Sequence, residues 1–228
     1  SIDAMNAAGV ITLAVILFQF LVINVASIVE VIIGRHYGAK EFTELGKPVW
    51  QMIWFAIATI IPFHFIGQYG YKLFVPEMYG NEGIQYFQVF MSSSFLSPIV
   101  VALSAFFIAR GKTKVVTVAA ILANMVNIAL AYFFIFGVEG IVAPGGLVGS
   151  AYAVIVATVF QIAILFTFFA TPYNIRNFKV LNLKFDYSVM KECIRIGLPN
   201  AIGHFIEIAC WAMINRYLAE LGSDYITV

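Results

Sequence analysis

Six long apolar stretches constrain this chain more than any other feature of its sequence. They are the stretches 10–34, 48–68, 84–109, 115–137, 147–170 and 197–218. Each has the roughly 20 residues that a helix needs to cross a bilayer. Backbone N–H and C=O groups find no water inside a bilayer, so a helix is the expected form of each stretch. The charged residues within these limits are Glu30, Glu207 and Arg216. The pattern therefore predicts six transmembrane helices.

The composition agrees with a protein whose solvent is lipid. Hydrophobic residues make up 62% of the chain and charged residues 11%, with a mean hydropathy of +0.93. A soluble domain needs far more charge to cover its surface. We therefore expect an all-α integral membrane protein with the lipid bilayer as its surroundings. The formal net charge of +1 gives no basic field of the kind that binds nucleic acid, so no nucleic-acid partner is expected.

Basic residues are concentrated in every second connection between the spans. Three connections together hold eleven of the thirteen: Arg35, Lys40, Lys47, Arg110, Lys112, Lys114, Arg176, Lys179, Lys184, Lys191 and Arg195. The other connections hold Lys72 beside Glu77, Glu82 and Glu139. Cytoplasmic loops of membrane proteins carry the excess of Lys and Arg. The distribution therefore predicts a multi-pass protein of the cell membrane, with the eleven basic residues in the cytoplasm and the amino end of this segment outside.

One long polar connection, residues 171–192, lies between the fifth and sixth stretches. Apolar residues alternate in it with Lys and Asn, as in a segment that lies along a membrane surface. We interpret it as an interfacial segment on the cytoplasmic side, and a hinge between two halves of a protein is the alternative. Trp50 and Trp54, near the start of the second span, are expected to face lipid or the membrane interface.

Small residues and prolines inside the spans predict how the helices pack. Gly145 and Gly149, four residues apart, allow another helix to approach closely. Pro62 and Pro98 lie inside spans, where a proline kinks the helix and exposes backbone carbonyls. The serine-rich stretch 92–97 weakens the third span at the same place. We therefore expect breaks in the second and third spans, at which a cavity can pass.

Glu207 is the carboxylate placed deepest in an apolar span. We expect the last span to carry Pro199 in its first helical turn, where the missing proline N–H would have no partner. Glu207 then lies about 12 Å further along the helix, near the membrane midplane. A carboxylate at that depth is costly, and it marks a site for ions, protons or substrate. His204, three residues earlier, shares the same helix face and can contact Glu207.

Three further polar residues lie inside the spans. Glu30 sits five residues before Arg35, about 7.5 Å inside the cytoplasmic boundary. It suits either a carboxylate that reaches the membrane surface or a proton relay that feeds the deeper site. Asn124 and Asn127 can form bonds across helices, either as packing contacts or as ligand contacts.

The sequence offers no catalytic constellation. The HExxH motif is absent, and His204 with Glu207 lacks the further ligands that a zinc site needs. The serines at 92–94 with His64 lack both a Gly-x-Ser-x-Gly turn and an orienting acid. We therefore expect no enzymatic activity, no metal site and no cofactor.

Five short segments, spread over nearly the whole chain, occur in the same order as in one family of membrane proteins. They are Gly34-Arg-His-Tyr-Gly-Ala-Lys-Glu41, Ala109-Arg-Gly-Lys-Thr-Lys114, Asn124-Met-Val-Asn-Ile-Ala-Leu-Ala-Tyr-Phe-Phe-Ile-Phe-Gly137, Gly145-Gly-Leu-Val-Gly-Ser-Ala-Tyr152, and Ile196-Gly-Leu-Pro199 with Glu207. Together they resemble the multidrug and toxic compound extrusion (MATE) transporters, with Glu207 in the family's seventh helix.

The resemblance implies a twelve-helix protein built from two lobes, of which this chain is a part. Residues 1–170 would form helices two to six of the amino-terminal lobe. Residues 171–195 would form the cytoplasmic connection between the lobes, and residues 196–228 the first helix of the carboxy-terminal lobe. A chain that starts Ser1-Ile-Asp3, with neither an initiator Met nor a basic leader, agrees with a piece of a longer protein. The remaining helices of the transporter would be its partners.

The resemblance also implies a function. Members of the family export organic cations and amphipathic drugs, coupled to an inward gradient of H⁺ or Na⁺. Glu207 matches the acidic residue that NorM-type members carry in helix seven, so we expect cation coupling at Glu207, assisted by His204 and Glu30. For the substrate cavity we expect Asn124, Asn127 and Asn200.

An amino-lobe cation site of the kind found in other members is expected to be incomplete. Asn127 matches an asparagine near that site, whereas Ala131 and Val154 stand where some members have Asp and Thr. Two other functions stay open. One is a flippase for lipid-linked oligosaccharides from the same superfamily, which would need a cationic cavity for a pyrophosphate. The other is a membrane scaffold that transports nothing.

Overall fold

The computed structural model of the chain describes residues 2–75, 79–137 and 144–221. Within those ranges it describes the side chains of residues 9, 11–207 and 210. The described residues form ten α-helices, one short 3₁₀ helix (Phe42–Glu44) and no β-strand. The α-helices are α1 Ile2–Gly38, α2 Gly46–Ala58, α3 Ile60–Tyr69, α4 Tyr71–Phe74, α5 Gly80–Ser93, α6 Leu96–Ile108, α7 Thr113–Phe136, α8 Gly146–Phe169, α9 Pro172–Phe178 and α10 Tyr187–Leu221.

Five stretches of the described helices are long and apolar enough to cross a membrane, which confirms the first five predicted spans. They are Ile11–Gly38, Phe42–Tyr69, Gly80–Ile108, Thr113–Phe136 and Gly146–Phe169. The sixth predicted span, 197–218, falls in α10, and the side chains at 208, 209 and from 211 onwards, Arg216 included, lie outside the described residues. That span therefore stays a prediction. Glu77 and Glu139 also lie outside the described residues.

The second and third spans are each broken, as their prolines predict. The second is divided at Thr59 into α2 and α3, three residues before Pro62. The third is divided at Ser94 and Phe95 into α5 and α6, just before Pro98. A proline removes the hydrogen bond to the carbonyl four residues earlier and crowds it, which for Pro98 is the carbonyl of Ser94. Both breaks lie inside membrane-spanning stretches.

Helix α10 begins at Tyr187, well before the expected start near Gly197. The carboxylate of Asp186 accepts hydrogen bonds from the backbone N–H groups of Ser188 (3.0 Å) and Val189 (3.3 Å), which is the geometry of a helix N-cap. Pro199 therefore lies inside the helix, and the expectation that it occupies the first turn was wrong. Residues 187–195, expected to belong to the connection, are helical.

Two small-residue contacts bring helices close to one another. Gly149 of α8 lies so near α7 that an added Cβ would overlap the Phe134 carbonyl, and the N–H of Gly145 donates to that carbonyl at 2.9 Å. This confirms the close approach predicted for the Gly145/Gly149 pair. In α10, a Cβ on Gly197 would lie 2.8 Å from the carbonyl oxygen of Val25 in α1. Helix α10 is thus packed along α1.

The core has two parts, one towards each end of the bundle. We call the end that carries residues 171–195 the inner end and the opposite end the outer end. The inner core contains Trp50 of α2, Phe106 of α6 and Phe169 of α8 among its buried residues. The outer core is built around Phe87 and Met91 of α5. Along the second and third spans, the helix breaks at Thr59 and Ser94 separate the residues of the inner core from those of the outer core.

Residues 179–186, which we call the strap, join α9 to α10 and are fastened to α2. The indole Nε1 of Trp50 donates to the carbonyl of Val180 at 2.6 Å, and that of Trp54 donates to the carbonyl of Leu183 at 3.2 Å. Val180 is fully buried. Trp50 is only 8% exposed, so the expectation that it faces lipid or the interface was wrong. Trp54 is 37% exposed and keeps one side open.

Arg110 fastens α9 to the end of α6. Its Nε donates to the carbonyl of Phe106 at 2.9 Å, and its Nη1 donates to the side-chain oxygen of Asn174 at 3.4 Å. The guanidinium carbon lies 3.7 Å from the ring centre of Phe106 and 4.6 Å from that of Phe178. Burial lowers the pKa of Arg110 to about 10, so the group is still charged at neutral pH. The aromatic rings and the Asn174 side chain hold this charge at the inner end.

Candidate functional site

His204 and Glu207 form a side-chain pair on α10. The Nδ1 atom of His204 lies 3.1 Å from Oε2 of Glu207, which confirms the contact predicted from their spacing of three residues. Both side chains are open, with 49% and 61% of their surfaces exposed. A carboxylate and an imidazole in contact on an apolar helix can together hold a proton or attract a cation.

The packing of α10 on α1 changes the expected depth of Glu207. Gly197 lies against Val25, which is close to the middle of the span Ile11–Gly38. Glu207 is ten residues, or about 15 Å, further along α10. Relative to α1, it therefore lies towards the outer end of the bundle, beyond the middle of that span. The midplane estimate assumed that the helix starts at the membrane boundary beside Pro199, whereas that proline lies inside a longer helix.

Glu30 lies away from that pair. Its side chain is exposed on α1, five residues from Val25 in the direction of the inner end. Because α10 runs in the opposite direction along α1, Glu30 is level with the early turns of α10, and Glu207 is level with the outer part of α1. The structure does not bring Glu30 and Glu207 together. The choice between a surface carboxylate and a proton relay for Glu30 stays open.

The three predicted cavity asparagines do not meet either. Asn124 is exposed on α7, and its Nδ2 donates to the carbonyl of Ala120 in the same helix at 2.9 Å. Asn127 is half-buried on α7, whereas Asn200 is exposed on α10. Helix α7 packs mainly on α8, and α10 packs mainly on α1. A cavity shared by all three side chains is therefore not formed by the described residues, and their role as ligand contacts stays a prediction.

A cleft of about 570 Å³ opens beside the two broken spans, where a cavity was expected, although its lining residues were not predicted. Its polar lining residues are His64, Gln68, Gln88, Ser92 and Ser93, and Ile155 and Val159 of α8 form an apolar wall. Spacing was the signal that could have found it. His64 and Gln68 are four residues apart on α3, as are Gln88 and Ser92 on α5, so each pair shares one helix face. The two faces meet, and Gln88 Nε2 lies 3.4 Å from Gln68 Oε1.

A smaller cavity of about 100 Å³ adjoins this cleft and shares Ser93 and Ile155 with it. Gln19 of α1 lines it, and the Gln19 amide donates to the hydroxyl of Ser94 at 2.9 Å, at the break between α5 and α6. Val154, the residue expected to leave an amino-lobe cation site incomplete, also lines it. Thr158, one turn further on, brings a hydroxyl to the same wall. Polar groups thus continue from the cleft towards the centre of the bundle.

The two polar sites are separate in the described part of the chain. The cleft is lined by α3, α5, α6 and α8, and the His204–Glu207 pair projects from α10. Among the lining residues, His64 carries the one imidazole, and no carboxylate, Lys or Arg is found among them. The cleft can hold a ligand by neutral hydrogen bonds and apolar contact, whereas the pair on α10 can bind and release a proton or a cation.

Several known proteins are similar to this chain in sequence and in structure. The model of the MatE family matches residues 1–133. The "Probable multidrug resistance protein NorM" of Neisseria meningitidis is 26% identical over 209 residues, which cover 85% of this chain and 44% of that protein. The protein of the same description from Pasteurella multocida is 31% identical over 118 residues, covering 50% and 25%. The chain thus spans less than half the length of these relatives.

Two solved structures share the fold. An inward-facing conformation of a multidrug resistance MATE family transporter of the MOP superfamily matches with a TM-score of 0.69 at 18% identity, covering 87% of this chain and 46% of that one. A MATE structure in complex with Br-NRF matches with a TM-score of 0.70 at 17% identity, covering 99% and 52%. The helix arrangement described above is therefore that of about half of such a transporter.

Proposed function

The chain belongs to the MatE family of multidrug efflux transporters, and from that premise we propose that the complete protein is a cation-coupled antiporter. It exports organic cations and amphipathic drugs across the cell membrane, driven by H⁺ or Na⁺. The first five spans belong to the amino-terminal lobe, residues 171–186 to the connection and α10 to the second lobe. The basic inner end faces the cytoplasm.

The observation that carries this proposal is the open His204–Glu207 pair. A carboxylate within a membrane-spanning helix is stabilised by a bound proton, by a cation or by water in a cavity. When a proton or Na⁺ occupies the site, the charge is neutralised. When the site is empty, Glu207 attracts an organic cation or favours the other arrangement of the lobes. Transport follows because the two arrangements differ in affinity for the coupling ion.

The cleft supports the choice of substrate. Amides, hydroxyls and one imidazole beside an apolar wall suit amphipathic molecules of varied shape, because such a site holds them by area with few directional bonds. A lipid-linked oligosaccharide flippase needs cations to hold a pyrophosphate. The cleft lining contains neither Lys nor Arg, which favours drug export over that alternative. A scaffold without transport activity would show no gradient-driven flux at all.

Efflux from proteoliposomes that contain the full-length transporter tests the proposal. We expect Glu207→Gln to insert and fold but to lose efflux driven by an imposed proton or sodium gradient. Glutamine keeps the shape and hydrogen-bonding capacity of Glu207 and cannot exchange a proton. Glu207→Asp should retain part of the rate. Glu82→Gln, at the exposed outer end of α5, is the matched control and should transport as the wild type does.

The same assay sorts the other possibilities. Wild-type efflux rates in the Glu207→Gln variant would refute the coupling role of this residue. Running each gradient alone, H⁺ or Na⁺, identifies the coupling ion. Glu30→Gln with normal expression and unchanged efflux would remove Glu30 from the mechanism. Translocation of a lipid-linked oligosaccharide without drug efflux would favour the flippase.

A further inference from the structure

The outer surface of the strap and of the first two turns of α10 combines exposed apolar side chains with lysines. The apolar residues are Leu181, Leu183, Phe185 and Tyr187, with 41%, 48%, 55% and 71% of their surfaces exposed. Three exposed lysines flank or interrupt them: Lys179, Lys184 and Lys191. A patch of exposed apolar side chains indicates a binding surface. Lysines beside the patch indicate that the partner has both an apolar and an anionic part.

Every carboxylate in the three basic connections already has a partner. Glu192 accepts from Arg35 at 2.8 Å, Glu41 lies 2.6 Å from the Nδ1 atom of His36, and Glu44 pairs with Lys47. Asp186 caps α10 through the backbone N–H groups described above. Because these four groups are engaged elsewhere, no carboxylate in the described residues forms an ion pair with the lysines of the strap.

Arg110 is a further cation at the inner end, and it does not belong to the exposed basic surface. Arg110 is enclosed by the Phe106 and Phe178 rings and is only 8% exposed, so its charge is held inside the protein. The strap lysines, in contrast, point into open surroundings beside the membrane-spanning helices. The unpaired Lys179, Lys184 and Lys191 therefore fit an anionic partner outside the described residues, next to an apolar phase.

We propose that the strap, together with the first two turns of α10, binds the headgroups of anionic phospholipids at the membrane surface. Lys179, Lys184 and Lys191 contact the lipid phosphates, and Leu181, Leu183 and Phe185 enter the boundary between headgroups and acyl chains. Basic segments next to transmembrane helices bind anionic lipids in this way. The proposal rests on the membrane placement of the chain, with the inner end at the cytoplasmic leaflet, and not on the transport cycle.

The bound lipid would also fix the start of α10. The strap is already fastened to α2 through Trp50 and Trp54, and its last residue, Asp186, is the N-cap of α10. A lipid that holds the other side of the strap would therefore clamp it between α2 and the membrane surface. Anionic lipid should raise the thermal stability of the protein for this reason.

Lipid binding can be measured on the full-length protein in detergent. The readouts are the shift of the unfolding midpoint and the lipid retained in native mass spectrometry, with phosphatidylglycerol compared with phosphatidylcholine. We expect phosphatidylglycerol to raise the midpoint of the wild type more than phosphatidylcholine does. A Lys179→Gln, Lys184→Gln, Lys191→Gln variant should lose most of that difference and retain fewer phosphatidylglycerol molecules.

The matched control removes the same charge from the same end but away from the strap: Lys40→Gln, Lys112→Gln, Lys114→Gln. It should keep most of the preference for phosphatidylglycerol. A Leu181→Ser, Phe185→Ser variant should bind less of both lipids, because it loses apolar contact and no charge.

Equal losses in the strap and control variants would overturn the proposal, since the whole basic face would then act together. It also fails if the wild type shows no preference, because another part of the transporter then covers the strap. Neither readout depends on antiport, so failure here is distinct from failure of the proposed function.

Discussion

Gln51 and Gln88 are two glutamines in neighbouring membrane-spanning stretches with opposite surroundings. Gln51, at the inner end, is fully buried. Its Nε2 donates to the carbonyl of Lys184 at 3.1 Å, and its Oε1 accepts from the N–H of Asp186 at 3.1 Å. Gln88, in the outer cleft, is half-buried and has one long side-chain contact of 3.4 Å with Gln68.

The difference shows how the two ends of the bundle use polar side chains. At the inner end, the Gln51 amide and the Trp50 indole satisfy buried or partly buried backbone groups of the strap. Such groups are needed for the fold. In the outer cleft, the polar groups face open space and leave most of their hydrogen-bonding capacity for something else. Such groups contribute little to stability and are available to a ligand.

The largest expected loss of stability comes from replacing Gln51 by leucine, and the same replacement at Gln88 is its control. Gln51→Leu leaves a carbonyl and an N–H of the strap unpaired, and each buried unpaired group costs about 1–3 kcal/mol. We expect it to lower the free energy of unfolding by about 2–5 kcal/mol. Gln88→Leu should change it by less than about 1 kcal/mol. Unfolding in mixed micelles with increasing denaturing detergent measures both.

The transport assay sharpens the same comparison. We expect Gln88→Leu to alter the efflux of the drugs that the cleft holds while the folded protein keeps its stability. If Gln88→Leu instead destabilises the protein as much as Gln51→Leu does, the cleft is a structural contact and the distinction between the two ends is wrong.

A smaller effect is expected from the two tryptophans of α2. Trp50 donates to the strap at 2.6 Å and is buried, whereas Trp54 donates at 3.2 Å and is partly exposed. Phenylalanine removes the N–H donor in both. We expect Trp50→Phe to cost about 1–3 kcal/mol, because it leaves the Val180 carbonyl unpaired inside the core. Trp54→Phe should cost less than about 1 kcal/mol, since water can replace its bond. Equal costs would show that the strap is wetter than its burial indicates.

The smallest effect concerns the labelling of two thiols on α10. Cys193 is fully buried in the inner core, and burial, assisted by the nearby Glu192, raises the pKa of its thiol to about 12. Below that pH the thiol is protonated and unreactive, because the thiolate is the nucleophile. Cys210 is exposed. At pH 8 we expect a membrane-permeant maleimide to label the Cys193→Ser variant and to leave the Cys210→Ser variant unlabelled until it is denatured. Rapid labelling of folded Cys210→Ser would show that the inner end opens.

The sequence predicted much of the architecture because its signals are local. The number of apolar residues in a row sets each of the five confirmed spans, and Pro62 and Pro98 place the breaks in two of them. Three-residue spacing was enough to predict the contact between His204 and Glu207. Helical geometry alone fixes these relations, so no knowledge of neighbouring helices is needed.

The tertiary structure decided which polar groups are used and where along the membrane they lie. Trp50 was expected to face lipid or the membrane interface, because the sequence does not show that the Val180 carbonyl accepts its N–H. Pro199 was expected in the first turn of the last span, because the Asp186 cap that starts α10 early is recognisable only once the strap is in position. The polar lining of the cleft went unpredicted, because the faces of α3 and α5 form one surface only when the two helices meet. Contacts between residues far apart in sequence determine all three, and the amino-acid sequence alone does not show which distant residues come into contact.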